Sequence, residues 1–297
     1  MAKIIVAGGT GLLGKALVGA LQNDRHTVLV LTRQPTRHNE VRWSPHHAAG
    51  PWTAALDNAH AVINLAGASI AGGRWTTARK AAIHDSRTQA TGALVKAIAA
   101  SRQPPPIFIS SSAVGYYGSR GDEPVTETTA PGSDFLAQVC RDWEAVASQL
   151  SPAARVVLLR SGVVLARHAG ALPQMALPFK LFAGGPAGTG RQFMSWIHLH
   201  DWVAMVKWAL ANQHFAGPLN VTAPVPVTNE NFSRSLGHVL GRPSWLKAPP
   251  FALRLILGEM ADALILGGQR VVPAVAQQHG FVFRYPTLES ALREIYP

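Results

Sequence analysis

The first residues that could do chemistry stand at the start of the chain. In VAGGTGLLG (6–14), Gly9, Gly11 and Gly14 fit G-x-G-x-x-G, and Gly8, Gly11 and Gly14 equally fit G-x-x-G-x-x-G. The stretch follows an apolar run, KIIVA (3–7), and opens a helical pattern that continues to about Leu21. In that context the glycines let the backbone turn tightly and approach a pyrophosphate, which the helix N-terminus stabilises. Out of that context the same glycines are only a turn.

The second apolar run selects the nucleotide. An NAD site places Asp or Glu near its end to hold the ribose 2′-hydroxyl. Here the end reads VLVLTRQPTR (28–37), and no acid lies between Asp24 and Glu40. Arg33 follows the run directly and Arg37 is close by. A guanidinium pairs with a 2′-phosphate that a carboxylate would repel, so NADP (NADPH) is expected rather than NAD. The plainer reading is a solvated surface arginine.

Further along, NLAGA (64–68) is small enough to pass under a nucleotide, and SSSAVGYYG (110–118) sets hydroxyls and two tyrosines after another apolar run. His198 and His200 alternate on an expected strand, so they face opposite sides and do not share a metal; no metal site is expected. Asp201 is expected to cap a helix starting at Trp202, and Arg160 to pair with a cofactor or simply to close its strand. The lone cysteine, Cys140, lies on an amphipathic helix with no histidine near it in sequence. It reads as a small core residue rather than a thiolate nucleophile.

The elements that must position these groups alternate. Strands are expected at 3–7, 27–32, 61–66, 106–112 and 155–162, with helices at 78–101 and 134–150. Continuous apolar strands between helices indicate an α/β fold with a doubly wound parallel sheet. Beyond about residue 166 glycine and proline become frequent. PLNVT (218–222) reads as a strand returning to the sheet, and Thr228 as the cap of a helix ending near Gly241. FVFRY (281–285) reads as a short strand, followed by a last helix after Thr287. The expected division is a nucleotide domain 1–165 rejoined by 218–224, an interwoven substrate lobe 166–247, and a small C-terminal domain 248–297.

Bulk composition excludes several classes. Of 297 residues, 47% are hydrophobic and 14% charged, which excludes a disordered chain. One cysteine forms no internal disulfide and fits a reducing cytoplasm. No signal-peptide pattern opens the sequence, and FALRLILGEMADALIL (251–266) is interrupted by Arg254, Glu259 and Asp262, a poor membrane span. The net charge of +11 comes from scattered basic residues, so a small anionic molecule is expected as ligand, and neither nucleic acid nor membrane as partner. A homodimer is left open.

GGTGLLG, NLAGA and SSSAVGYYG, in this order and spacing, resemble the extended short-chain dehydrogenase/reductases, relatives of sugar-nucleotide epimerases. RWTTARKAAIHDSR (74–87), FLAQVCRDWE (135–144), GTGRQFMSWIHLHDW (188–202) and the tail narrow this to an atypical, epimerase-family branch with a small C-terminal domain of unknown function. The resemblance implies a Rossmann fold with a smaller C-terminal substrate lobe. It implies cofactor contacts from Gly8, Thr10, Gly11, Leu12, Leu13, Gly14, Arg33, Leu65, Ala66, Gly67, Arg87 and Ser110. It also implies a reduction, epimerisation or dehydration of a small polar, sugar-like substrate.

That superfamily uses a Tyr-x-x-x-Lys pair for proton transfer, and this chain has none. Aligned on Glu144, Leu136 takes the tyrosine position and Cys140 the lysine position. Ser112 matches the hydroxyl that orients the substrate oxygen, so Ser112, Tyr116 and Tyr117 become the catalytic candidates. Arg191, Gln192 and His198 become the substrate candidates. The rival expectation is a non-catalytic NADP(H)-binding sensor or scaffold.

Overall fold

The computed structural model describes residues 1–297. Its centre is a sheet of seven parallel strands: β1 (Lys3–Ala7), β2 (Thr27–Thr32), β3 (Glu40–Arg42), β4 (Ala61–Asn64), β5 (Ile107–Ala113), β6 (Arg155–Ser161) and β7 (Gly217–Val221). They lie in the order β7-β6-β5-β4-β1-β2-β3. Successive side chains of β1 serve opposite faces, as strand geometry requires. Ile4 and Val6 join Leu17 and Leu21 of helix α1 (Leu12–Asn23), whereas Ile5 and Ala7 join Leu94 and Ile98 of helix α2 (Thr77–Ala99). Helix α3 (Phe135–Ser148) packs beside α2. Strand order reverses between β1 and β4, so the loops leaving these two strands diverge and open a crevice at their carboxyl ends.

A second lobe surrounds a third core. Helix α4 (Ala171–Lys180), helix α6 (Asn229–Leu240) and the C-terminal helix Leu288–Ile295 contribute Leu172, Phe232, Leu236 and Leu292 to it. Thr228 caps α6 by accepting the Asn231 N–H, and Gly241 closes it in the left-handed conformation, as the sequence implies. No helix is long and apolar enough to cross a membrane.

Three local readings change. Helix α5 (Leu199–Ala211) starts earlier than expected, so His200 is helical and His198 is the cap. Asp201 does not cap it. Buried in the first turn, its carboxylate accepts the N–H groups of Arg284 and Tyr285. FVFRY forms no strand: its Arg284 and Tyr285 donors go to Asp201 and the Phe281 donor to Ala276 O instead of a ladder. Phe281 and Phe283 still pack on the sheet core, while Val282 is 86% exposed.

Candidate functional site

The glycine turn is fixed by close approach. Gly8 has φ +78°, and a β-carbon there would lie 2.7 Å from the Leu65 carbonyl; one on Gly14 would strike the Gly8 carbonyl. The turn is held by Gly11 N–H donating to Gly8 O at 3.2 Å. Gly11 caps α1 without a side chain, and no acid sits in the first turn. The leading N–H groups, those of Leu12, Leu13 and Gly14, therefore keep the partial positive charge that attracts an anion. The two leucine side chains pack elsewhere, Leu13 on the sheet core and Leu12 beside Gly170.

Beside this turn lies a cleft of about 790 Å³. Gly8, Thr10, Gly11, Arg33, Leu65, Ala66 and Gly67 line it, seven residues that the sequence singled out. Arg33 and Gln34 stand at its β2 end. The next acid along the chain, Glu40, is engaged by its own loop: its carboxylate accepts the N–H groups of Thr36 at 2.6 Å and Arg37 at 3.2 Å. These bonds, the one from Thr36 foremost, hold its pKa below the usual carboxylate value. Arg37 belongs to this loop and does not line the cleft.

The opposite wall was not foreseen. Ser86, Gln89 and Ala90 come from one face of α2, and Trp43, Pro45 and His46 from the segment after β3. The i, i+3, i+4 spacing of the α2 trio was the available signal. Ser86 Oγ accepts the Ala68 N–H at 3.0 Å, and His46 Nδ1 meets Gln89 Oε1 at 2.7 Å. A shallower hollow of about 590 Å³ adjoins the cleft through Pro45, His46 and Gln89.

Arg87 runs beside Gly67, with its Cζ 3.5 Å from where a Gly67 β-carbon would be. Only Nη1 is spoken for, donating to Ile83 O at 2.8 Å, and no carboxylate pairs with it. Its guanidinium stands 5.3 Å from the Trp143 ring. Burial depresses its pKa, with a smaller opposing effect from Cys140. Ser110, by contrast, is fully buried on β5 and does not line the cleft.

The three catalytic candidates meet a buried charge network. Ser112 Oγ donates to Glu144 Oε1 at 2.6 Å, and Arg160 donates to both oxygens of Glu144 at 2.8 Å. Arg160 also donates to the Tyr117 hydroxyl at 3.0 Å, and that hydroxyl donates to Asn220 Oδ1 at 2.6 Å. Burial opposes the charge on Arg160, but Glu144 more than offsets it and raises the pKa. Tyr117 is 0% exposed, and burial pushes its phenol up to about 12. The expectation that Tyr117 delivers a proton is therefore corrected: its hydroxyl is consumed inside the core. Arg160 neither reaches the cleft nor merely closes its strand. Tyr116 differs, being half-buried with Arg160 Cζ 3.5 Å from its ring centroid.

Leu136 and Cys140 share the α3 face that packs on the turn after β5. A β-carbon on Gly115 would lie 3.3 Å from Leu136 Cβ and 4.0 Å from Cys140 Sγ. Burial pushes the Cys140 thiol up to about 12; Glu144 raises it further and Arg87 opposes. Such a thiol holds its proton.

Two substrate candidates have other work. Gln192 Nε2 donates to the carbonyls of Ala187 at 3.0 Å and Ile265 at 2.8 Å, tying the C-terminal segment down. His198 is buried against Tyr285, with Nε2 2.8 Å from Glu294 and Nδ1 accepting the His200 N–H. Burial lowers its pKa, with Glu294 opposing. Both readings as substrate contacts are corrected: their polar atoms are satisfied within the protein. Arg191 stays exposed on its glycine loop. The chain from Gly267 to Val271 crosses the loop that follows β5. Gln269 Nε2 donates to Val114 O at 2.8 Å, and Arg270–Val271 pairs in parallel with Pro124–Val125.

Comparisons with known proteins agree with this architecture. Residues 4–221 match the family model described as NAD dependent epimerase/dehydratase family, and residues 248–295 match a domain of unknown function. The chain is 41% identical to an epimerase family protein of Mycobacterium leprae over 98% of this chain and 94% of that one. It is similar to the crystal structure of human epimerase family protein SDR39U1 (isoform 2) with NADPH: TM-score 0.92, 34% identity, 99% of each chain covered. A UDP-N-acetylglucosamine 4-epimerase from Bacillus cereus shares the fold at 18% identity, with TM-score 0.79 over 100% of this chain and 98% of that one.

Proposed function

Because this chain belongs to the NAD-dependent epimerase/dehydratase family, we propose that its cleft binds NADP(H) and serves hydride chemistry on a small polar, sugar-like substrate. The observation that carries the cofactor is the β2 end of the cleft. Arg33 lines that end, where a 2′-phosphate would bind, and Glu40, the next acid along the chain, is engaged by its own loop. The relative crystallised with NADPH supports the same reading. The uncapped α1 N-terminus would take the pyrophosphate, and Leu65–Gly67 leave room for the chain to pass beneath the nucleotide. Arg87 takes over the cationic role that a lysine at position 140 would have had, with N–H groups left uncommitted beside Gly67, which lines the cleft.

Bound NADP(H) supplies or accepts the hydride; the proton is the chain's own task. With Tyr117 buried and Cys140 protonated, Tyr116 is the phenol of SSSAVGYYG left to transfer it. Ser112 is oriented by Glu144, to which its hydroxyl donates a hydrogen bond. Calorimetric titration of wild type and Arg33→Ala with NADPH and NADH tests the cofactor, and a wild type that binds neither ends the reading. A carbonyl screen with Tyr116→Phe tests the chemistry, with a loss of about 10²–10⁴-fold expected for a lost general acid.

The second reading is a non-catalytic NADP(H)-binding sensor or scaffold. It is favoured by one observation, that Ser112 and Tyr117 are both committed to the Glu144–Arg160 pair. It expects tight cofactor binding and a turnover that Tyr116→Phe does not change.

A further inference from the structure

Away from the cleft, apolar surface collects in one place. Eight of the eleven large hydrophobic side chains that stand exposed fall within 171–192 and 241–258. Two are Leu177 of α4 and Leu181, which follows its last turn. The others are Phe182, Trp245, Leu246, Phe251, Leu255 and Ile256; Trp245 is 72% exposed, Phe251 73% and Leu255 75%. No residue of the helix Pro250–Leu257 is fully buried, and its Phe251, Leu255 and Ile256 stand exposed.

The two segments are physically joined. Leu246 N–H donates to Gly184 O at 3.1 Å, Ala248 N–H to Pro186 O and Gly188 N–H to Ala248 O, both at 2.9 Å. Arg242 Cζ lies 4.6 Å from the Phe182 ring centroid. A β-carbon on Gly188 would touch Pro250 at 3.6 Å. The apolar side chains therefore belong to a continuous strip running from the end of α4 to the helix 250–257.

Charge identifies the occupant. The same two segments hold five basic residues, Lys180, Arg191, Arg242, Lys247 and Arg254, and no Asp or Glu. Of the five only Arg254 is in an ion pair, with Asp262. A second copy would bring like charges face to face, in a chain already at +11. Aromatic and aliphatic tips rimmed by unpaired Lys and Arg match an interfacial surface on anionic lipid: the apolar groups enter the headgroup boundary while the cations meet phosphate. Since no helix can span a bilayer, such contact is peripheral and reversible. We propose that this face docks on an anionic membrane surface, in place of the absence of membrane contact that composition alone implies.

Flotation with vesicles tests it, using phosphatidylcholine alone and phosphatidylcholine with about a third phosphatidylglycerol. The full chain should float with the anionic vesicles, stay behind with the neutral ones, and be released by high salt, since surface charges are screened within about 10 Å at 0.1 M. Phe251→Ser with Leu255→Ser, and separately Arg242→Glu with Lys247→Glu, should each weaken partition at least about tenfold. Neither pair should change the melting temperature or the affinity for NADPH. The proposal is overturned if wild type does not float, if both variant pairs float as wild type does, or if the patch instead mediates self-association or capture of an acidic peptide without vesicle binding.

Discussion

Arg160 and Glu144 meet through two hydrogen bonds of 2.8 Å, with 4% and 7% of their surfaces exposed. The pair organises what surrounds it. Ser112 donates to its acid, Tyr117 accepts from its base, and the Tyr116 ring lies across the guanidinium. Removing one member leaves the other charged and buried. Glu144→Gln should therefore cost about 3–5 kcal/mol in urea unfolding. Tyr117→Phe, which orphans one donor and one acceptor, should cost about 1–3 kcal/mol and leave NADPH affinity unchanged. A Tyr117→Phe protein of full stability that binds NADPH poorly would contradict this placement.

Cofactor choice should rest on Arg33. A hydrogen bond to a charged group contributes about 1.5–3 kcal/mol, so Arg33→Ala should weaken NADPH by roughly ten- to a hundredfold and leave NADH where it was. Arg37→Ala, at a position outside the cleft, should alter neither. Calorimetry on the two variants side by side separates a phosphate contact from a general loss of positive charge.

Arg87 should act on a different part of the nucleotide. Its position beside Gly67 predicts that Arg87→Met weakens NADPH and NADH by the same factor, about tenfold or more. Binding of 2′,5′-ADP, which lacks the nicotinamide half, should change little. Equal loss of 2′,5′-ADP would move Arg87 to the adenosine end.

Acid should loosen the joint at His198. Its folded pKa is lowered by burial, so the unfolded chain binds the proton more readily. The stability it contributes is complete above the ordinary histidine range and is lost as pH falls through the folded value. His84 runs the other way. Its pKa is raised, chiefly by the bond to Asp85, so its contribution is present at low pH and fades as pH rises through the folded value. Melting temperature recorded from about pH 8 to pH 5 should fall toward acid. The fall should be smaller in His198→Gln and larger in His84→Gln.

Cys140 should resist alkylation. A buried thiol with a pKa pushed up to about 12 presents almost no thiolate near neutral pH. Iodoacetamide at about pH 8 should label the urea-unfolded chain and spare the native one, read by mass. Rapid native labelling would mean that this face of α3 opens.

Much of this was legible in the residues. Period and apolar runs located six of the seven sheet strands and their facing helices, and the returning strand Gly217–Val221 was among them. The three-residue β3 is too short to announce itself. Glycine spacing marked the nucleotide turn because the turn is built within a few residues, where Gly8 takes φ +78°, a conformation that favours glycine. Side-chain partners were not legible, because they come from distant segments. Nothing near Tyr117 in sequence foretells Asn220, and nothing near Asp201 foretells Arg284. His198 looked available for a substrate because its partner Glu294 lies 96 residues away. The α2 wall was missed for a related reason, since Ser86, Gln89 and Ala90 are ordinary helix residues until the crevice faces them.

The bond from Asp201 to the backbone of Arg284 and Tyr285 has a consequence for how the chain is made. Ala276 completes the core begun at Ile4, and Leu288, Leu292 and Ile295 complete the one begun at Leu165. Neither core is complete before the last fifty residues have been synthesised. During translation the growing polypeptide must carry its nearly finished sheet with apolar surface uncovered, the condition in which chains aggregate or engage chaperones. The yield of this protein in a cell should therefore follow how quickly its final helix is delivered, more than how stable the sheet becomes once that helix has arrived.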